Sequence, residues 1–240
     1  MRILSVQSLA DHAVTLHLAR EPGLAATRLV GSAARAIAQA MADGLLPGAE
    51  EVAPAFTSLT VTYDCLTVPQ ADLVTRLGAI LAAAPEASAG AGRLWHLPCA
   101  YGEGIDLSDL SIALGLSEEE VIARHSQCEF HVLALGFLPG LPFLGDLPAE
   151  LARPRRPSPR HRVPKGAVAI ANRMGVIYPW ESPGGWHIVG TCPVALFDPA
   201  RAEPALLATG DRVRFVPVPG DEARAMAATP PEPLDFLVRD

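Results

Sequence analysis

The 240-residue chain is half apolar and only 19% charged, which supplies a real core, excludes a wholly disordered chain and suits two ordinary domains. Nineteen basic against 26 acidic side chains leave a net charge of −7, so the chain has no global basic field to draw it onto nucleic acid. The N-terminus reaches Asp11 and His12 before a long apolar run can form, and the longest uncharged apolar stretch, 132–145, is broken by Pro139 and Pro142. That is short of the roughly 18 residues a membrane span needs, so a cytoplasmic address with no membrane partner is expected. Cys65, Cys99, Cys128 and Cys192 are widely spaced without a C-x-x-C pair and read as free thiols.

In chain order, Val14, Leu16 and Leu18 alternate with polar residues, the period of a half-buried strand. Across 26–44, Val30, Ala34, Ile37 and Met41 recur at helical spacing, and Gly44 is a natural stop. Strands are expected near 50–55 and 58–63, then a helix whose Leu73, Leu77, Ile80 and Leu81 share a face. The sum is β-α-β-β-α, a small two-layer α/β domain over residues 1–85. Residues 82–92, built from Ala, Gly, Pro, Ser and a single Glu, mark the boundary.

The second domain, 93–220, opens with two short helices at 106–115 and 117–126; Ser117 with Glu120 three residues on is a capping-box signature. Strands are expected at 129–135, 167–171, 175–178, 186–189, 194–197 and 212–218, separated by Pro- and Gly-rich turns, which points to a β-barrel or sandwich. Residues 221–240, with Pro230, Pro231 and Pro233, read as a loosely held tail. The fold class is therefore α+β.

Between 136 and 187 lie seven Gly and nine Pro together with Phe137, Phe143, Tyr178, Trp180 and Trp186. Pro fixes φ and Gly permits positive φ, so with aromatic anchors these residues describe rigidly shaped loops that hold binding groups, although a barrel that merely needs tight corners has the same composition. Arg153, Arg155, Arg156, Arg160, Arg162 and Lys165 add six cations without an acid. They read as a capture surface for an anionic substrate or an acidic partner face; the competing reading is a solvated loop. His125, Cys128 and His131 invite a metal reading, but no fourth ligand or C-x-x-C pair accompanies them, so no metal site is assigned.

Three runs in this segment carry a resemblance: GFLPGLPFLG at 136–145, the 157–168 stretch ending VPKGAV, and IYPWESPGGWH at 177–187. With these motifs in this order, the chain resembles the family that comprises the B subunit of 5-oxoprolinase, KipI (kinase A inhibitor) and allophanate hydrolase subunit 1. The resemblance covers nearly the whole chain and implies a cyclophilin-like β-barrel for the second domain. It implies one subunit of an ATP-dependent 5-oxoprolinase that opens 5-oxoproline to glutamate. The active site would be shared with a larger homologous partner (the C subunit of 5-oxoprolinase, or allophanate hydrolase subunit 2), with the A subunit as a further partner. Relatives described as a histidine-kinase inhibitor or as half of a biotin-dependent carboxyltransferase give the alternatives.

ATP with Mg is expected at the level of the complex, since no Walker A run is present. No biotin is expected on this chain, which lacks a Met-Lys-Met acceptor. Many relatives carry a Gly-x-Gln-Thr-Gly run where this chain reads Asn172-Arg173-Met174-Gly175-Val176, a change that suits a carboxylate or phosphate better than a neutral amide. Lys165, the chain's only lysine, stands where a small residue is common.

The candidate catalytic residues are His125, expected near the barrel mouth, with His187 and Glu181. The candidate substrate-binding residues are Phe137, Pro139, Gly140, Phe143, Arg162, Lys165, Arg173, Tyr178, Ser182, Gly184, Gly185 and Trp186, with Arg162, Lys165 and Arg173 expected around one anion-accepting region. Gly184 and Gly185 are read as giving close backbone approach, with positive φ, to a ligand or oxyanion, or else as a tight turn.

Overall fold

The protein is described here from a computed structural model covering residues 1–84 and 92–238. Its contacts divide it into two compact units, Met1–Gly90 and Ala91–Asp240. The expected linker at 82–92 lies largely outside the described residues.

In the first unit, β1 (Ser5–Leu9), β2 (Ala13–His17), α1 (Leu24–Ala42), β3 (Ala49–Pro54), β4 (Ser58–Tyr63) and α2 (Gln70–Ala83) form two layers. The antiparallel sheet runs β1-β2-β4-β3, and its register sets Val14 opposite Val61 and Leu16 opposite Leu59. The pleat sends these four residues to one face, where they bury against Val30 and Ile37 of α1 and Leu73 and Leu77 of α2. The alternation and helical spacing read from the sequence are both realised. Strand β1 is additional: all five of its residues are exposed, so no buried alternation announces it.

The second unit contains β5 (Leu94–Cys99), α3 (Leu107–Leu114), α4 (Glu118–Gln127), β6 (Phe130–Leu135), β7 (Pro142–Gly145), β8 (Arg160–Val163), β9 (Ala167–Ala171), β10 (Met174–Ile177), β11 (Ser182–Gly184), β12 (His187–Thr191), β13 (Arg212–Pro217) and α5 (Gly220–Ala228). Seven strands order as β12-β9-β10-β7-β6-β13-β5, while β8 and β11 form a separate pair. The large sheet curls until its ends meet: Ala100, just after β5, exchanges backbone hydrogen bonds of 2.9 and 3.1 Å with Thr191 of β12. The result is a nearly closed barrel filled by Trp95, Phe130, Phe215, Leu97 and Ile170. At the start of β13, buried Asp211 accepts from Trp95 Nε1, the Arg93 guanidinium and the Ala208 amide, fixing the bottom of that strand.

The capping box forms as read, with Ser117 Oγ accepting from Glu120 N and Glu120 Oε2 accepting from Ser117 N. Other expectations are corrected. Residues 194–197 make no strand; Phe197 contributes one isolated bridge to Ala205. The tail is not loose along its length: it forms α5, and further on Leu237 bridges Trp95 while Val238 N–H donates to Leu94 O at 2.9 Å. That pairing covers the outer edge of β5, whose backbone groups would otherwise be unpaired.

Candidate functional site

The predicted aromatic and glycine residues converge. Phe137, Phe143, Tyr178, Gly184, Gly185 and Trp186 line one cavity of about 310 Å³, together with Leu141, Arg155, Pro159, Val176 and Pro183. Each wall follows from local chain geometry. The turn between β6 and β7 is closed by Leu141 N–H donating to Leu138 O, and it holds Phe137 in the left-handed region at φ 69° and 69% exposed at the rim. A bulky side chain at positive φ is strained. Phe143, on β7, and Trp186, just before β12, approach with ring centroids 6.2 Å apart.

Tyr178 follows β10. Its backbone brackets the 164–167 turn, with Tyr178 N–H donating to Ala167 O and Tyr178 O accepting from Gly166 N–H. Burial pushes the Tyr178 phenol above its ordinary range, opposed by the nearby positive charge of Arg155. Gly184 fits because a Cβ there would stand 2.4 Å from the Tyr178 hydroxyl. Neither Gly184 nor Gly185 is among the residues at positive φ, so the reason for glycine at 184 is space and not conformation.

Arg155 is the cavity's cation, placed 5.4 Å from the Trp186 ring centroid. Among the described residues it has no carboxylate partner, unlike Arg156, Arg160 and Arg162. Arg156 and Arg160 both bond buried Asp106, and Arg162 forms a bidentate pair with Glu181 at 2.8 and 3.0 Å. Three members of the six-cation run thus pair with two acids far away in sequence, while among the described residues Arg153, Arg155 and Lys165 have no carboxylate partner.

The other candidates fall elsewhere. Glu181 holds Arg162 in solvent and does not line the cavity. Lys165 sits 5.3 Å from the Trp180 ring and lines a second cavity of about 290 Å³. Arg173 is exposed in the turn between β9 and β10, so Arg162, Lys165 and Arg173 do not share the aromatic cavity. Gly140, at φ 78°, packs on Phe197, where a Cβ would approach to 2.7 Å, and exposed Pro139 shapes the same turn. Ser182 is buried and donates to Pro183 O, and His187 Nε2–H donates to Pro154 O at 2.9 Å.

His125 departs furthest from expectation. It is 0% exposed, packed among Phe130, Phe215 and Tyr101 in the barrel core, with Nδ1 2.7 Å from the Tyr101 hydroxyl and Nε2 without a hydrogen-bond partner among the described residues. Desolvation lowers its pKa from 6.5 to about 3, so it stays neutral and is remote from solvent-borne substrate. Burial likewise pushes the Cys192 thiol up to about 12 and Cys128 up to about 11, so neither carries an appreciable thiolate near neutrality. Cys128 donates to Asp146 O, and His131 pairs with the Asp146 carboxylate.

Sequence reasoning missed Arg155 as the distinct member of its run, and missed Asp106 altogether. The only signal for Asp106 was an acid at a helix start, which ordinarily reads as a cap.

Comparison with known proteins matches residues 4–207 to the family model of the carboxyltransferase domain, subdomain C and D. The chain is 40% identical over 183 residues to the 5-oxoprolinase B subunit of Escherichia coli O157:H7, covering 75% of this chain and 83% of that protein. It is 37% identical over 227 residues to the 5-oxoprolinase B subunit of Bacillus subtilis (strain 168), covering 88% and 91%. The crystal structure of TTHA0988 superposes with a TM-score of 0.76 at 38% identity over 87% of this chain; the chain spans only 40% of that longer chain.

Proposed function

The chain belongs to the carboxyltransferase-domain family of subdomains C and D, and we propose that it is the B-type subunit of a 5-oxoprolinase-like amidohydrolase. In this reading it opens 5-oxoproline to glutamate at a site shared with a larger homologous subunit, and a third protein completes the enzyme. The observation that carries the reading is the aromatic cavity with Arg155 as a cation free of any carboxylate among the described residues. Its 310 Å³ lies at the small end of ligand sites, roughly 300–1,000 Å³. A small lactam acid matches that chemistry: Arg155 receives the carboxylate, and the Phe143 and Trp186 rings flank the apolar ring edge. The name that two curated relatives share, each matched along most of its length, supports the same assignment.

ATP with Mg does not fit this cavity, which offers one cation and aromatic walls to a triphosphate. In this reading the nucleotide belongs to another member of the complex. The family description also favours a second reading, carboxyl transfer, in which the same cavity receives a carboxylated carrier from another chain.

The test is co-expression with both the larger homologous protein and the third, followed by assay of glutamate and phosphate release. The isolated chain is expected to turn over neither ATP nor 5-oxoproline, the reconstituted complex both, and Arg155→Gln is expected to raise KM for 5-oxoproline more than it lowers kcat. Turnover by the isolated chain, or a complex active only with a carboxylated biotin carrier, would overturn this assignment.

A further inference from the structure

Asp106 stands at the N-cap position of α3, yet its side chain makes no capping bond to that helix. It is 1% exposed, and both carboxylate oxygens are fully engaged. Oδ1 accepts from Arg156 Nη1 at 2.9 Å and Arg160 Nη2 at 2.5 Å; Oδ2 accepts from Arg160 Nη1 at 2.9 Å and the Ile188 amide at 2.8 Å. The Asp106 amide in turn donates to Ile188 O at 3.0 Å, so the residue stands in for a strand partner at the edge of β12. A buried carboxylate is tolerated because two guanidinium groups and an amide replace its water.

The two arginines flank Pro157 and Pro159 in the segment that carries Arg155. That segment is also anchored through its backbone and His187: Asn172 N–H donates to Arg153 O, His187 Nε2–H to Pro154 O, Arg156 N–H to Gly185 O at 2.7 Å, and Arg160 opens β8, which pairs with Gly184 of β11. Arg155 therefore lies between tethered neighbours, and Asp106 ties the Arg156 and Arg160 side chains on its C-terminal flank to the barrel. A carboxylate whose only task was to close the barrel edge would need Ile188 and not two arginines from the site loop.

We propose that Asp106 is a positioning residue for the site, clasping Arg156 and Arg160 so that Arg155 and Pro159 are held against Trp186 and Gly185 as one rigid wall of the cavity. The proposal rests on the assignment of the cavity to a small acid. Preorganising a single cation over an aromatic ring removes the ordering cost that a mobile loop would impose on the ligand.

The test compares wild type, Asp106→Asn and Arg160→Gln by amide hydrogen exchange of the full chain and by calorimetric titration of the reconstituted complex with 5-oxoproline. Exchange at the Arg156 amide, which bonds Gly185 O, is expected to rise by roughly tenfold or more in Asp106→Asn while β9 keeps its protection. The 5-oxoproline Kd is expected to rise by roughly tenfold to a hundredfold, as misplaced binding groups lose that much. Arg160→Gln should move both readouts the same way by less, and it decides the matter if Asp106→Asn does not fold. Unchanged loop exchange, or protection lost equally through β9 and β12, would reduce Asp106 to a structural staple and overturn the proposal. If wild type binds no 5-oxoproline while the variants loosen only this loop, the substrate assignment fails and the clasp stands.

Discussion

Gly184 and Gly185 are adjacent in sequence and line the same cavity, yet they answer differently to a single added carbon. A Cβ at 184 would meet the Tyr178 hydroxyl at 2.4 Å and both Tyr178 Cζ and Val163 Cγ2 at 3.0 Å; at 185 nothing comes nearer than Pro159 Cβ at 3.5 Å. Tyr178 is buried and its ring forms part of the cavity wall, so it cannot move without reshaping the site. Gly184→Ala is expected to cost about 1–3 kcal/mol through overpacking and to weaken 5-oxoproline binding. Gly185→Ala should stay within about 0.5 kcal/mol of wild type. Thermal melting beside calorimetric titration checks the pair. Equal effects at both positions would mean that the chain here is only a turn.

At the scale of elements, the seam that closes the barrel is the vulnerable feature. Gly190 on β12 faces the end of β5: a Cβ there would stand 2.6 Å from Cys99 Sγ and 3.1 Å from Ala100 O, backbone that is itself bonded to Thr191. Gly190→Ala should lower stability by about 1–3 kcal/mol, read as a lower urea midpoint with an unchanged slope. Gly175→Ala on β10, where the nearest atom is 3.7 Å away, is the control and should melt close to wild type.

This seam also shows what the sequence could tell. Elements with a buried period were legible: α1 through Val30 and Ile37, β4 through Leu59 and Val61, and β9 through its unbroken apolar run. β7 was hidden because it begins with Pro142, and β8 because Arg160, His161 and Arg162 look like a charged loop. β8 owes its pairing to a distant partner, Gly184, while β7 pairs with neighbouring β6 on one side and with Gly175 and Val176 of β10 on the other. Residues 194–197 misled because Val194, Leu196 and Phe197 are apolar for packing and not for a ladder. The site was legible where its residues were local and aromatic. It was illegible where Asp106 meets Arg156 across 50 positions, since spacing carries no trace of such a pair.

On the scale of the whole molecule, each unit has its own core, and the second has a titratable group at its centre. His125 is held neutral by Tyr101, Phe130 and Phe215, with its pKa brought from 6.5 down to about 3. The unfolded chain therefore binds a proton that the folded chain refuses between those two values. Stability contributed by this site is complete above pH 6.5 and declines as pH falls toward 3. One pKa unit corresponds to about 1.4 kcal/mol, so two units below the ordinary histidine value the loss is about 2–3 kcal/mol. The carboxylates held low by local hydrogen bonds, Asp11, Asp64 and Glu119, start from ordinary values of 3.8 to 4.5, so their contribution is lost at lower pH than the upper part of the His125 window. His125→Phe keeps an aromatic ring in the core and removes both the proton site and the unpartnered Nε2. Urea denaturation from about pH 7.5 to about pH 4.5 should show wild type weakening steadily below pH 6.5, with a visibly flatter profile for His125→Phe. If the two profiles run parallel through that window, His125 takes up its proton without unfolding the barrel, and water reaches the centre of the second unit.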